Sequence, residues 1–258
     1  MKRGTDDHSD PARSRAWRPP RHCASLGAVV WAIGRILFAS GVWAADGDAV
    51  LFREDFEHPL SPHWVERGFP SIERKNTFRV AADVDGNHFL QVESARSSSG
   101  MGVHLHFDPR RCPEVHWRWT VSDTLPTADL TRREADDAAA KLYVVFKGPS
   151  LWNPLDKRIL VYVWDDALPV GTVLPNSWLP DKERMLVVES GRGKVGQWAA
   201  DRTDLVEDFT RAFPAETPGA VEALAFMADT DNTSSRVSAG LDDLEIRCRG
   251  AAWQERRP

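Results

Sequence analysis

The segment Glu114-Val115-His116-Trp117-Arg118-Trp119-Thr120-Val121 alternates without a break: Val115, Trp117, Trp119 and Val121 fall on one side, His116, Arg118 and Thr120 on the other. A period of two marks a β-strand with one buried face, because successive side chains of an extended chain point to opposite faces. The apolar set is therefore expected to face a core. Nine further short runs bounded by Pro, Gly, Asn or Asp accompany it, at residues 50–55, 77–81, 88–93, 102–107, 141–146, 158–164, 185–190, 221–228 and 241–248. Runs of this length and spacing predict an all-β fold, an antiparallel β-sandwich or jelly roll of about ten strands. One helix is expected at residues 203–213, where Leu205, Phe209 and Phe213 recur every four residues, Asp201 or Thr203 can cap, and Pro214 ends the run. Residues 122–140 and 165–184 form loops long enough to carry function.

The chain ahead of these runs has a different character. Residues 1–21 carry Lys2, Arg3, Arg13, Arg15, Arg18 and Arg21, residues 24–44 are apolar, and Val42-Trp43-Ala44 precedes Ala45-Asp46. A basic stretch, an apolar run and small residues at a cleavage position read as a signal peptide ending at Ala44, with export to the periplasm or beyond. Arg35 interrupts the apolar run and disfavours a permanent span, though a retained anchor stays open. Cys23 lies ahead of that run and is lost on cleavage. Residues 45–258 are then one β-sandwich domain. Of the 33 basic and 38 acidic residues, the leading 44 take 7 and 3, leaving 26 against 35 and a net charge of −9. That balance argues against nucleic-acid and anionic membrane partners. Cys112 and Cys248 remain, and in an oxidising compartment they form either one disulfide or two buried thiols.

Several constellations can carry chemistry. Asp136 and Asp137 stand just before a strand bearing Lys141 and Tyr143 on one face, an arrangement suited to acid/base work or to a metal, or else a solvated loop end. Glu189 closes another apolar strand and can face the surface of Arg118 and Tyr143; with Asp136 and Asp137 it completes the carboxylate set a polysaccharide hydrolase or lyase needs. Asp229, Asp231 and Asn232 offer alternating oxygens that suit calcium as well as turn formation. Glu54, Asp55 and Glu57, with Asp242 and Asp243, form a second such set; they look like the residues through which jelly-roll carbohydrate-binding modules join first and last strands around a structural calcium. Gly191, Gly193 and Gly196 fit a dinucleotide fingerprint, but Gln197-Trp198-Ala199 follows in place of an apolar helix, so a glycine-rich hairpin is expected. His104 and His106 share one strand face without a third ligand in view. Of the eight tryptophans after residue 44, Trp117 and Trp119 belong to the core, Trp152 and Trp178 sit in Pro- and Asn-containing loops suited to stacking on sugars, and Trp164 fits either set.

Read together, Trp117-Arg118-Trp119, Asp136-Asp137 leading into Leu142 to Phe146, Tyr162-Val163-Trp164, Glu189-Ser190-Gly191, Gln197-Trp198, Arg202 with Glu207-Asp208-Phe209, and Met227-Ala228-Asp229-Thr230-Asp231-Asn232-Thr233 resemble a bacterial exported family known as domain of unknown function number three thousand and forty-seven. The resemblance runs in order from about Phe52 to about Ile246, and departs where Ala239-Gly240-Leu241 replaces aromatic residues before the Asp pair. It implies a shared single-domain architecture and brings no activity. The leading functional reading is an exported β-sandwich that binds a glycan or similar polar ligand through Arg118, Lys141, Tyr143, Trp152, Trp164 and Trp178, with structural calcium assigned to Asp229, Asp231 and Asn232 or to the second set with Glu54 and Asp243. The alternatives are the polysaccharide hydrolase or lyase and a non-catalytic envelope assembly protein.

Overall fold

A computed structural model describes residues 49–150 and 152–250; the expected signal segment and Trp253 lie outside them. The strands are, in chain order, β1 (Ala49–Glu54), β2 (Trp64–Gly68), β3 (Thr77–Ala82), β4 (His88–Ala95), β5 (Ser99–Phe107), β6 (Glu114–Val121) and β7 (Ala138–Lys147). They continue with β8 (Lys157–Asp165), β9 (Val173–Pro175), β10 (Glu183–Ser190), β11 (Ala199–Asp204), β12 (Val221–Asp229) and β13 (Arg236–Cys248), with a helix α1 (Leu205–Ala212) between β11 and β12. Six strands form one sheet in the order β11-β6-β13-β4-β3, with β1 also on β13. Seven form the other, in the order β2-β5-β12-β7-β8-β10-β9. The all-β sandwich read from the alternation is the fold.

The alternating segment lies in β6, and its Trp117 and Trp119 reach across to Tyr162 and Trp164 of β8, with ring centroids 5.3 and 5.9 Å apart. These rings, with Leu142, Val144 and Phe146 of β7 and Leu224 and Phe226 of β12, fill the space between the sheets. Strand β8 (KRILVYVWD) is apolar on both sides because both of its faces are covered. Leu160, Tyr162 and Trp164 enter the central core, while Val161 and Val163 join Leu130, Leu174, Met185 and Val187 in a second cluster. Leu130 and the partly buried Leu168 come from the two long segments, which thereby cover part of the outer face of the seven-stranded sheet, while Leu174 lies in β9 of that sheet.

Three strands escaped the sequence pattern: β2, β9 and β11. Each lies at the edge of its sheet. An edge strand packs fewer side chains, so its sequence need not alternate, and Ala199–Asp204 (AADRTD) is held by its pairing with β6 rather than by an apolar face. The antiparallel expectation also needs one correction. Strands β8 and β10 run parallel, because the segment between them crosses over and returns as β9 antiparallel to β10. Helix α1 starts at Leu205, one residue after its cap: the Asp204 carboxylate accepts from the N–H groups of Val206 and Glu207 at 2.9 and 3.1 Å. The glycine-rich segment is no hairpin. It carries the chain from β10 in one sheet to β11 in the other, with Gly191 and Gly196 at φ of 71° and 73°, values that favour glycine.

Cys112, in the turn before β6, is disulfide-bonded to Cys248 at the end of β13. The bond closes a loop of 136 residues. In the chain-entropy account a loop of that length is worth about 5 kcal/mol. The double variant Cys112→Ser/Cys248→Ser is expected to lose stability on that scale in urea unfolding followed by tryptophan fluorescence. A loss below about 1 kcal/mol would show that the crosslink constrains little that the sandwich does not already fix.

Candidate functional site

Alternation along β7 sends Leu142 and Val144 into the central core and leaves Lys141 and Tyr143 on the opposite, outer face. The covering segments do not close over this face completely. They leave a cleft of about 380 Å³ whose polar walls are Ser98, Asp136, Lys141, Tyr143, Asn176, Glu183, Asp229, Asp231 and Asn232. Phe69, Trp178 and Leu179, three of the exposed large apolar side chains, stand at its mouth. Strand pairing explains the convergence of distant sequence. Strand β12 runs antiparallel to β7, with Met227 opposite Lys141 and Asp229 opposite Ala138, so the end of β12 lies at the start of β7.

Lys141 is 2% exposed. Its Nζ donates to Asp229 Oδ2 at 2.9 Å and to the Asp136 carbonyl at 3.3 Å, with Asp136 Oδ1 at 3.7 Å. Burial works to lower the Lys141 pKa, but the negative charges of Asp229 and Asp136 and the bond to Asp229 hold it well above the ordinary lysine value, so the ammonium stays charged. Asp136 Oδ2 accepts from Ser177 Oγ at 2.8 Å and Asn176 Nδ2 at 3.2 Å. Asn176 in turn accepts the N–H groups of Trp178 and Leu179 at 2.8 and 2.9 Å. The rim carrying Trp178 is thus tied to the carboxylate beneath it, and Arg133 lies over the indole at 4.6 Å. Asp137 is buried and accepts from the Asn232 N–H at 3.2 Å, the Thr233 N–H at 2.7 Å and the Thr233 hydroxyl at 2.6 Å. It thereby shapes the turn that presents Asp231 and Asn232.

Burial pushes the Asp231 carboxyl up to about 7, helped by the neighbouring carboxylates of Asp229 and Asp137. Glu183 also rises to about 7, through burial first, with the Lys141 ammonium opposing and Asp136 and Asp229 adding to the shift. Asp136 shifts upward as well, again through burial, against the pull of Lys141 and Ser177. Asp137, Asp229 and Asp231 bring oxygens within 4.8 Å of one another. This all-oxygen set suits a hard cation, and Asp229 Oδ1 is a buried acceptor with no hydrogen-bond partner.

The sequence matches the family described as "Protein of unknown function (DUF3047)" over residues 62–245. The chain belongs to this family. The matched span holds every residue of the cleft. No protein of curated function matches the sequence. Among solved structures, the family 30 carbohydrate-binding module of a cellulosomal cellulase of Clostridium thermocellum is similar at 8% identity and a TM-score of 0.40, covering 76% of this chain and 97% of that one. The cellulose-induced protein Cip1 is similar at 10% identity and a TM-score of 0.43, covering 76% and 96%. The N-terminal CBM22 tandem domain of Paenibacillus barcinonensis Xyn10C is similar at 16% identity and a TM-score of 0.40, covering 81% of this chain, which spans 47% of the tandem.

The remaining sequence candidates lie elsewhere in this family member. Glu189 is aligned with Trp164 and Ala140, whose side chains point to the inner face, and it pairs with Lys194; it does not share the cleft with Asp136 and Asp137. Arg118 is in the other sheet, bound to Asp242 and Asp243, with Trp198 stacked on it at 4.9 Å. Glu54 accepts the indole N–H of Trp64 at 2.9 Å, and Glu57 pairs with His88 at 2.8 Å. The first-and-last-strand carboxylates are therefore occupied by protein partners, and neither Glu54 nor Asp243 reaches the Asp229 and Asp231 group. Trp164 is buried in the core, where no ligand reaches it. Trp152 is 94% exposed but sits in the β7–β8 turn, at the far end of β7 from the cleft. His104 and His106 are exposed on β5.

Glu183 and Asn176 are site residues that pattern reading passed over. The available signal was parity: Glu183, Met185 and Val187 share a face of β10, whereas the shift in register between Val187 and Glu189 breaks that parity.

The Glu183 shift has a sign that can be tested. The folded state holds its proton up to about pH 7 while the unfolded chain releases it near 4.5, so folding takes up a proton between those values and stability falls as pH rises through them. Glu183→Gln is expected to remove roughly 3 kcal/mol of that fall between pH 5 and 8. Urea midpoints measured across the range check it, and an unaltered slope would place the titration elsewhere.

Proposed function

We propose that this domain is an extracytoplasmic glycan-binding module whose ligand enters the acidic cleft on the outer face of the seven-stranded sheet. The observation that carries the reading is the convergence of carboxylates, amides and an exposed aromatic rim on one concavity. Sugar hydroxyls are donors that carboxylate and amide oxygens can accept from, and the C–H face of a pyranose packs on an indole. Trp178, 54% exposed and braced by Arg133 and Asn176, is suited to that contact because its ring is already ordered. Export is supported by the basic and apolar lead and by the Cys112–Cys248 bond, which an oxidising compartment permits.

The same reading assigns a calcium ion to Asp137, Asp229 and Asp231, with the Asn232 amide oxygen as an additional donor. The ion would hold the 230–235 turn against the start of β7, a stabilising role with no part in chemistry. A second reading, acid/base hydrolysis of a glycan, is favoured by one observation: Glu183 and Asp231 both titrate near neutrality inside the cleft. Release of reducing ends by the wild type, abolished in Glu183→Gln, would select it over binding alone.

Two measurements test the leading reading. On a glycan array followed by calorimetry, Trp178→Ala is expected to weaken binding about tenfold, the scale of a lost aromatic contact, while Trp152→Ala leaves it unchanged. Binding by neither wild type nor variants removes the glycan. For calcium, a concentration hundredfold above Kd should stabilise the fold by about 2.7 kcal/mol relative to chelator. A melting temperature unmoved by chelator removes the ion.

A further inference from the structure

The cleft holds a charge surplus that a neutral sugar would not meet. Asp136, Glu183, Asp229 and Asp231 line it, and among the described residues Lys141 is the one ammonium in its wall. Lys141 is committed to Asp229 at 2.9 Å. Asp136 Oδ1 belongs to a side chain only 2% exposed and has no hydrogen-bond partner, since Lys141 Nζ stands 3.7 Å away. Ser98 Oγ, buried in the same wall, is also without a partner. Buried polar atoms left in this way are costly, and a ligand that supplies donors removes the cost. The other charged or titratable groups around the cleft do not change the balance: Asp137 adds to the acidity from behind Asp231, the Tyr143 phenol is neutral, and Arg133 is stacked over Trp178 at the rim. A calcium ion at Asp137, Asp229 and Asp231 would leave Asp136 and Glu183 without a ligand contact, because neither belongs to that group.

We infer that the glycan bound here carries an unsubstituted ammonium group, a glucosamine-type amino sugar whose charged nitrogen is received by Asp136 and Glu183. This inference rests on the glycan-binding reading. An ammonium offers three donors and a full positive charge, which answers both the unpartnered Asp136 oxygen and the surplus acidity. N-acetylation removes the charge and adds bulk, which forfeits the attraction, and a uronate brings a carboxylate that the wall repels.

The test compares tetrasaccharides of glucosamine, N-acetylglucosamine and glucose, titrated calorimetrically into the full-length chain at neutral pH, in chelator and in calcium. The glucosamine oligomer is expected to bind at least tenfold more tightly than the other two in both buffers. Glu183→Gln and Asp136→Asn, each checked for a wild-type melting profile, should erase that preference while keeping residual affinity, whereas Trp178→Ala weakens all three sugars together. Should Asp136→Asn prove unfolded, Glu183→Gln alone decides, since the amide keeps the shape of the side chain and removes its negative charge. Equal affinity for glucose and glucosamine oligomers overturns the inference and leaves glycan binding intact. Loss of the preference on adding calcium overturns it in favour of the metal. No binding of any sugar overturns both.

Discussion

Lys141 places a full positive charge beneath the surface of the seven-stranded sheet, and the geometry around it follows from the need to neutralise that charge. A buried ammonium without a counter-ion is too costly to keep, and removing one partner of a buried pair costs several kcal/mol. Asp229 answers it directly, and the Asp136 carbonyl and carboxylate complete its surroundings. Each of these acids comes from a different strand end, so the ion pair pins the end of β12 to the start of β7. The acids exceed what one ammonium needs. That excess, and not the ion pair itself, is what makes the cleft a candidate site.

The cleft exists because the seven-stranded sheet is covered twice. Its inner face packs on the six-stranded sheet through the rings of Trp117, Trp119, Tyr162 and Trp164. Its outer face packs on Leu130 and Leu168 from the two long segments. A loop cannot cover a sheet as evenly as another sheet does, and the cover fails where the outer face turns polar, at Lys141 and Tyr143. The segment after β9 borders the gap and is fastened to the cleft floor by Asn176 and Ser177, which both bond Asp136. The aromatic rim and the acidic floor are therefore one mechanical unit.

Desolvation decides the chemistry of the floor. Asp231 and Glu183 are both pushed up to about 7, burial being the largest cause in each case. Groups poised at neutrality can take up a cation by releasing a proton. Glu189, equally acidic in sequence, pairs with Lys194 on the other face, so proximity in sequence to an apolar strand was a poor guide to which carboxylate would matter.

The sequence by itself determined the sandwich, the buried tryptophans of β6, helix α1 and the family, because each is written in local alternation or in ordered motifs. It also marked Asp136, Asp137, Lys141, Tyr143, Trp178, Asp229, Asp231 and Asn232, whose types and spacing signal chemistry wherever they lie. It did not show the edge strands, which bury too little to impose a pattern, or the parallel pairing of β8 and β10, which a crossover sets. Nor did it show that Glu183 and Asn176 belong with those residues while Glu189, Arg118, Trp164 and Glu54 do not. Only tertiary structure decided that, because strand register and the face a side chain occupies are properties of the partner strand: a shift of one residue sends a carboxylate to the opposite side of the sheet.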